Sequence, residues 1–76
     1  MTYLCRILNH ETGETKRFHS VKAAESYART RCDKVGGFWI IEYADEGRNG
    51  LEIATVCKDG LGRVWTDVTM AKNPPL

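Results

Sequence analysis

Seventy-six residues leave room for one domain, and a chain this small buries only about 60% of the surface its unfolded form exposes. A composition of 42% hydrophobic and 28% charged residues, with seven Gly and only two Pro, excludes disorder and low-complexity sequence. Eleven Lys and Arg against ten Asp and Glu leave a net charge of +1, which is neither the basic excess of a duplex-DNA binder nor the strong negative charge of a DNA mimic. No apolar run approaches the length of a membrane span, and the start Met1-Thr2-Tyr3-Leu4-Cys5-Arg6 lacks the order of a signal peptide. Cys5, Cys32 and Cys57 are odd in number and widely spaced, unlike a disulfide framework, so the expected setting is reducing and cytoplasmic.

In chain order, residues 3–8 read as a strand with Tyr3, Cys5 and Ile7 on one face. A turn through His10, Glu11, Thr12, Gly13 and Glu14 leads back into a strand at 15–19, giving a first hairpin. Ser20 has the chemistry of a helix N-cap. Val21, Ala24, Ala28, Cys32 and Val35 follow at spacings of three and four, which predicts a helix from Val21 to Val35 with one apolar face. Glu25 and Arg29 would form an i,i+4 pair on the other face, and Gly36-Gly37 would end the helix.

Residues 38–44 are aromatic and β-branched, as in a buried strand. A polar loop ending in Asn49-Gly50 separates them from a strand at 51–58, and Asp59-Gly60-Leu61-Gly62 turns into a last strand at 63–69. The prediction is therefore one α+β domain over 1–70, an antiparallel sheet of four or five strands in the order ββαβββ, with one helix packed on one face. Residues 71–76, with Pro74-Pro75, should be a short flexible tail.

One helix can shield one face of such a sheet. Yet the strand at 38–44 is apolar on both sides, with Phe38 and Ile40 on one and Trp39, Ile41 and Tyr43 on the other. Trp65 sits between polar neighbours, which suggests an outer face and an interaction surface. The alternative is that Trp39 and Trp65 fold over the sheet edge.

Catalytic and cofactor chemistry finds little support. Cys5, Cys32, Cys57, His10 and His19 lack zinc-ligand spacing, and the cysteines read as small core residues. There is no nucleophile elbow, Glu42, Glu52 and Asp67 read as charges on a solvated strand face, and Gly60-Leu61-Gly62 joins two strands and no helix. The expectation is no enzyme, no cofactor and no metal. Cations do cluster: Lys16, Arg17, Lys22, Arg29, Arg31 and Lys34 stand near one another, diluted by Glu14, Glu25 and Asp33.

The element order is joined by three further features. The helix opens on Phe18-x-Ser20, a strand reads Trp39-Ile40-Ile41-Glu42, and the ending reads Lys58-Asp59-Gly60-Leu61-Gly62-Arg63-Val64-Trp65-Thr66-Asp67. Together these resemble small phage-encoded anti-CRISPR inhibitors of type I-F surveillance complexes. Here the final turn is lengthened by Leu61-Gly62, Val64 separates the arginine from the tryptophan, and the tail is longer. The resemblance implies a non-enzymatic blocker in the cytoplasm of a bacterial host. It would dock on Cas subunits of the complex and close the path that target DNA must enter, and it nominates Lys58, Arg63 and Trp65 as contacts. The residues themselves add Lys16, Arg17, Lys22 and Arg29 as partner-binding cations. Two other classes stay open: a nucleic-acid module presenting those four cations to phosphates, and a homo-oligomeric phage accessory protein paired through its aromatic face. The expected partner is thus a protein met by a monomer or homodimer, with weak nucleic-acid contact and no membrane.

Overall fold

The computed structural model describes residues 3–69, and the expected tail lies outside them. Five strands form one antiparallel sheet, β1 (Cys5–Asn9), β2 (Thr15–Phe18), β3 (Trp39–Tyr43), β4 (Glu52–Lys58) and β5 (Val64–Val68), in the spatial order β2-β1-β3-β4-β5. Among the described residues one helix element, α1 (Val21–Val35), packs on one face of the sheet. The α+β class and the single covered face agree with the sequence.

The first hairpin is closed by a buried polar residue. Asn9 is almost fully buried, and its Oδ1 accepts from the backbone N–H groups of Glu11 at 2.9 Å and Thr12 at 3.3 Å. Gly13, at φ 77°, donates its N–H back to the Asn9 carbonyl. The helix then starts where its cap is: the Ser20 hydroxyl accepts from the Ala23 N–H at 3.2 Å. Because α1 leaves β2 at the sheet edge and delivers the chain to β3, it must cross over β1, which lies between them.

Register decides which side chains meet the helix. Cys5 stands opposite Tyr43, Ile7 opposite Ile41 and Asn9 opposite Trp39, while Trp39 pairs with Val56 and Ile41 with Ala54. These side chains fill the space under Ala24, Ala28 and Cys32, whose small size lets the helix approach closely. A bulge between Ile41 and Glu42 leaves Ile53 as an extra buried residue on β4.

Two details differ from the sequence reading. Val35 is 55% exposed, although its spacing placed it on the buried face. The chain reverses at Gly36 and Gly37, both at positive φ, and brings Trp39 back under the helix end, where its Nε1 donates to the Gly36 carbonyl at 2.9 Å. Trp39, fully buried, fills that volume and leaves Val35 outside. It therefore does not fold over the sheet edge. Nor does Arg29 pair with Glu25: its guanidinium reaches β5, donating to Thr66 Oγ1 and to the Val64 carbonyl, both at 3.0 Å. A bidentate tertiary site outcompetes a solvated pair within the helix.

Gly37 carries two constraints at once, φ of 93° and a would-be Cβ only 2.9 Å from Asn9 Nδ2. Gly37→Ala should therefore destabilise the fold by about 1–3 kcal/mol in urea unfolding. Gly47→Ala, in open space and without positive φ, is the control and should change little.

Candidate interaction face

Residues that alternate with the core positions point away from the helix, and among the described residues no second layer lies over them, although Asn49 of the loop after β3 reaches Arg6. In the middle of this open face Leu8 stands opposite Ile40, and Ile40 opposite Thr55. One step along, Cys57 stands opposite Trp65. Leu8, Ile40 and Cys57 are half-buried, Trp65 is 44% exposed, and Phe38, next to the buried Trp39, is 49% exposed. The result is an apolar band running from the sheet centre to the β5 edge. Cys5 and Cys32 are core residues as expected, and burial raises the pKa of both thiols. Cys57 is not in that core: the alternation that buries Val56 puts Cys57 on the opposite side.

Toward the β2 edge the open face becomes charged. Arg17, Arg6 and Glu42 lie in one row across β2, β1 and β3. Arg6 Nε donates to Glu42 Oε1 at 2.7 Å and its Nη1 to Asn49 Oδ1 at 2.9 Å, which ties the 45–50 loop to this side of the sheet. Arg17 makes no hydrogen bond or ion pair among the described residues. An open groove of about 660 Å³ lies here, lined by Tyr3, Arg6, Thr15, Lys16 and Arg17.

The structure does not bring the seven nominated residues together. Arg17 and Trp65 share the open face, near opposite edges. Lys16 projects to the helix side, its ammonium 4.7 Å from the centre of the Tyr27 ring. Arg29 is spent on β5, as described above. Lys58 donates to the Asp33 carbonyl at 2.9 Å and so also belongs to the helix side. Lys22 is exposed in the first turn of α1. Arg63 is exposed beside the last turn and pairs with Asp59 at 3.1 Å. Arg6, Leu8, Ile40, Phe38 and Cys57 complete the face and were not nominated. Strict alternation within each strand marks them, once the side covered by the helix is known.

Among the described residues no group of three or more His, Cys, Asp or Glu side chains is placed to hold a metal ion. His19 stacks on Tyr3 with ring centres 4.5 Å apart. A polar network lies on the helix side, where Glu14 accepts from Arg31 at 3.0 Å and from the Tyr27 hydroxyl at 3.0 Å. These bonds, the Arg31 one foremost, hold the Glu14 carboxyl below its ordinary pKa, and the Glu14 bond raises that of Tyr27. Asp59 is likewise lowered, first by the Arg63 backbone N–H it accepts from. Among described helices, none is long and apolar enough to cross a membrane.

No family model matches the chain, and no curated protein or solved structure is significantly similar to it.

Two measurements check this division of labour. Arg29→Ala should lower unfolding stability by about 2 kcal/mol, because it strips a charged donor from Thr66 and Val64. Arg17→Ala should stay within about 0.5 kcal/mol. In acid, Glu14 and Asp59 have folded pKa values depressed below the ordinary 4.5 and 3.8, so they contribute stability above those values and lose it as pH falls through the folded ones. A thermal-unfolding series in pH should show Tm dropping in that acid range. The drop should be shallower for Glu14→Gln combined with Asp59→Asn.

Proposed function

We propose that this is a non-enzymatic binding protein that docks on a protein partner through the open face of its sheet. The apolar band around Ile40, Cys57 and Trp65, over which no second layer lies among the described residues, carries the reading. A small domain gains nothing in stability from solvating Trp65 and Phe38, and contiguous exposed apolar surface commonly marks an interaction site. A tryptophan beside half-buried aliphatic groups is also the composition of an interface hot spot.

The finer reading follows the resemblance stated above: the partner is a set of Cas subunits in a type I surveillance complex, and docking blocks target-DNA binding. Support for it is the placement of Trp65 on the open face, since the resemblance nominated that residue as a contact. Lys58 and Arg63 lie off that face, so in this reading the basic hairpin steers approach and does not form the centre of the contact. A nucleic-acid module fits the geometry less well. Lys16 and Arg29 are held on the helix side by Tyr27 and β5, so the four cations do not line one phosphate track.

Surface-kinetic binding to a purified type I-F surveillance complex, at two ionic strengths, tests both levels. The parent should bind and block DNA loading. Trp65→Ala should fold and dissociate about 30-fold faster, the equivalent of a ~2 kcal/mol hot spot. Arg17→Glu should mainly slow association, and most at low salt. Failure of the parent to bind would remove the Cas reading. A Trp65→Ala variant that binds like the parent would remove the face.

A further inference from the structure

We infer that the Arg6–Arg17 end of the open face receives a carboxylate from an acidic side chain of the docking protein. The inference rests on the open face being a docking surface, and it names the chemistry of one end of it. Arg6 and Arg17 are direct cross-strand partners. The Asn9 N–H bonds the Glu14 carbonyl at 2.9 Å, so hydrogen-bonded pairs in this hairpin recur at Ile7 with Lys16 and Cys5 with Phe18. Arg6 and Arg17 then form a non-hydrogen-bonded pair, the kind in which side chains stand closest. Like charges directly opposite one another are unfavourable there, unless an anion lies between them.

The two guanidinium groups are unequally engaged. Arg6 is held by Glu42 and Asn49 through Nε and Nη1, which fixes its plane and leaves Nη2 without a hydrogen bond among the described residues. Arg17 is exposed and has no partner among them. Both line the open groove, together with Tyr3, Thr15 and Lys16. A pre-oriented arginine and a free one facing a common groove offer the planar, charge-assisted donors that a carboxylate accepts.

Phosphates of a nucleic acid suit this end less well than a side-chain carboxylate does. A polyanion needs a track of cations, and this face offers two arginines, with Glu42 beside one of them, while Lys16 lines the groove but holds its ammonium over Tyr27 on the helix side. The remaining cations of the hairpin and helix are turned to the other side or bonded there. The apolar band begins next to the pair, at Leu8 and Ile40, as a protein interface requires.

The test is an NMR titration of the full chain, following the arginine Nε–H, the Leu8 and Ile40 methyl and the Trp65 indole resonances. Three probes are compared: a short capped peptide carrying paired glutamates between leucines, its glutamine counterpart, and a short single-stranded oligonucleotide. The glutamate peptide should shift Arg17 and Arg6 together with the apolar reporters, and should bind at least ~3-fold more tightly than the glutamine peptide. Arg17→Ala, at an exposed position, should erase that advantage. Equal binding of both peptides with apolar shifts alone would overturn the carboxylate site and leave the docking face standing. Arginine shifts produced more readily by the oligonucleotide would overturn it in favour of phosphate. Silence of every reporter with every probe would overturn both.

Discussion

Among the described residues the helix α1, of 15 residues and about 22 Å long, covers one face of the sheet and cannot reach the other. Five strands at about 4.8 Å spacing make a sheet roughly as wide as that helix is long, so the covered face is well served. All of the deep burial is arranged for this contact. Ala24, Ala28 and Cys32 keep the helix close, and Trp39 fills the space at its C-terminal end. The helix is then tied down along its length by side chains reaching outward. Arg31 holds Glu14 of the first hairpin, Arg29 holds β5, and Lys58 of β4 reaches the Asp33 carbonyl.

The same arrangement explains why the nominated cations do not lie on one face. Within the cluster around the helix, Arg29 and Arg31 fasten it to β5 and to the first hairpin and Lys16 rests on Tyr27, whereas Lys22 and Lys34 are exposed and Arg17 faces the open side. What remains on the far side is a face of mixed character. It has an apolar band from Leu8 to Trp65 and a charged row of Arg17, Arg6 and Glu42 at one edge, and no second layer lies over it among the described residues. Function, in this account, belongs to the side that the fold does not use for its own stability.

Much of the fold was legible because its signals are local. Ser20 caps, the Ala24, Ala28 and Cys32 spacing buries, and Gly13 and Gly36 turn where positive φ is needed. The strands fell within a residue or two of their sequence positions. The facing of the sheet was not legible, because Phe38 and Ile40 are as apolar as Trp39 and Ile41, and hydrophobicity alone cannot say which set a helix will cover. Register settles it, and register follows from the Asn9 turn and the Gly37 close approach. Arg29 was misread for a related reason. Glu25 is its neighbour in sequence, whereas Thr66 is 37 residues away and is met only through the tertiary fold. Cys57 was assigned to the core on the strength of its neighbours, although alternation next to Val56 already allowed the other side.

The three cysteines report directly on this one-sided construction. Cys5 and Cys32 lie under the helix with raised pKa values, and Cys57 lies half-exposed on the open face. Alkylation of the folded protein, read residue by residue by mass spectrometry, should modify Cys57 well before the other two. Cys5 and Cys32 should follow only when denaturant unfolds the domain, at which point all three react. Modification of Cys5 or Cys32 ahead of Cys57 in the folded state would contradict the account, because it would mean that the helix covers the other face.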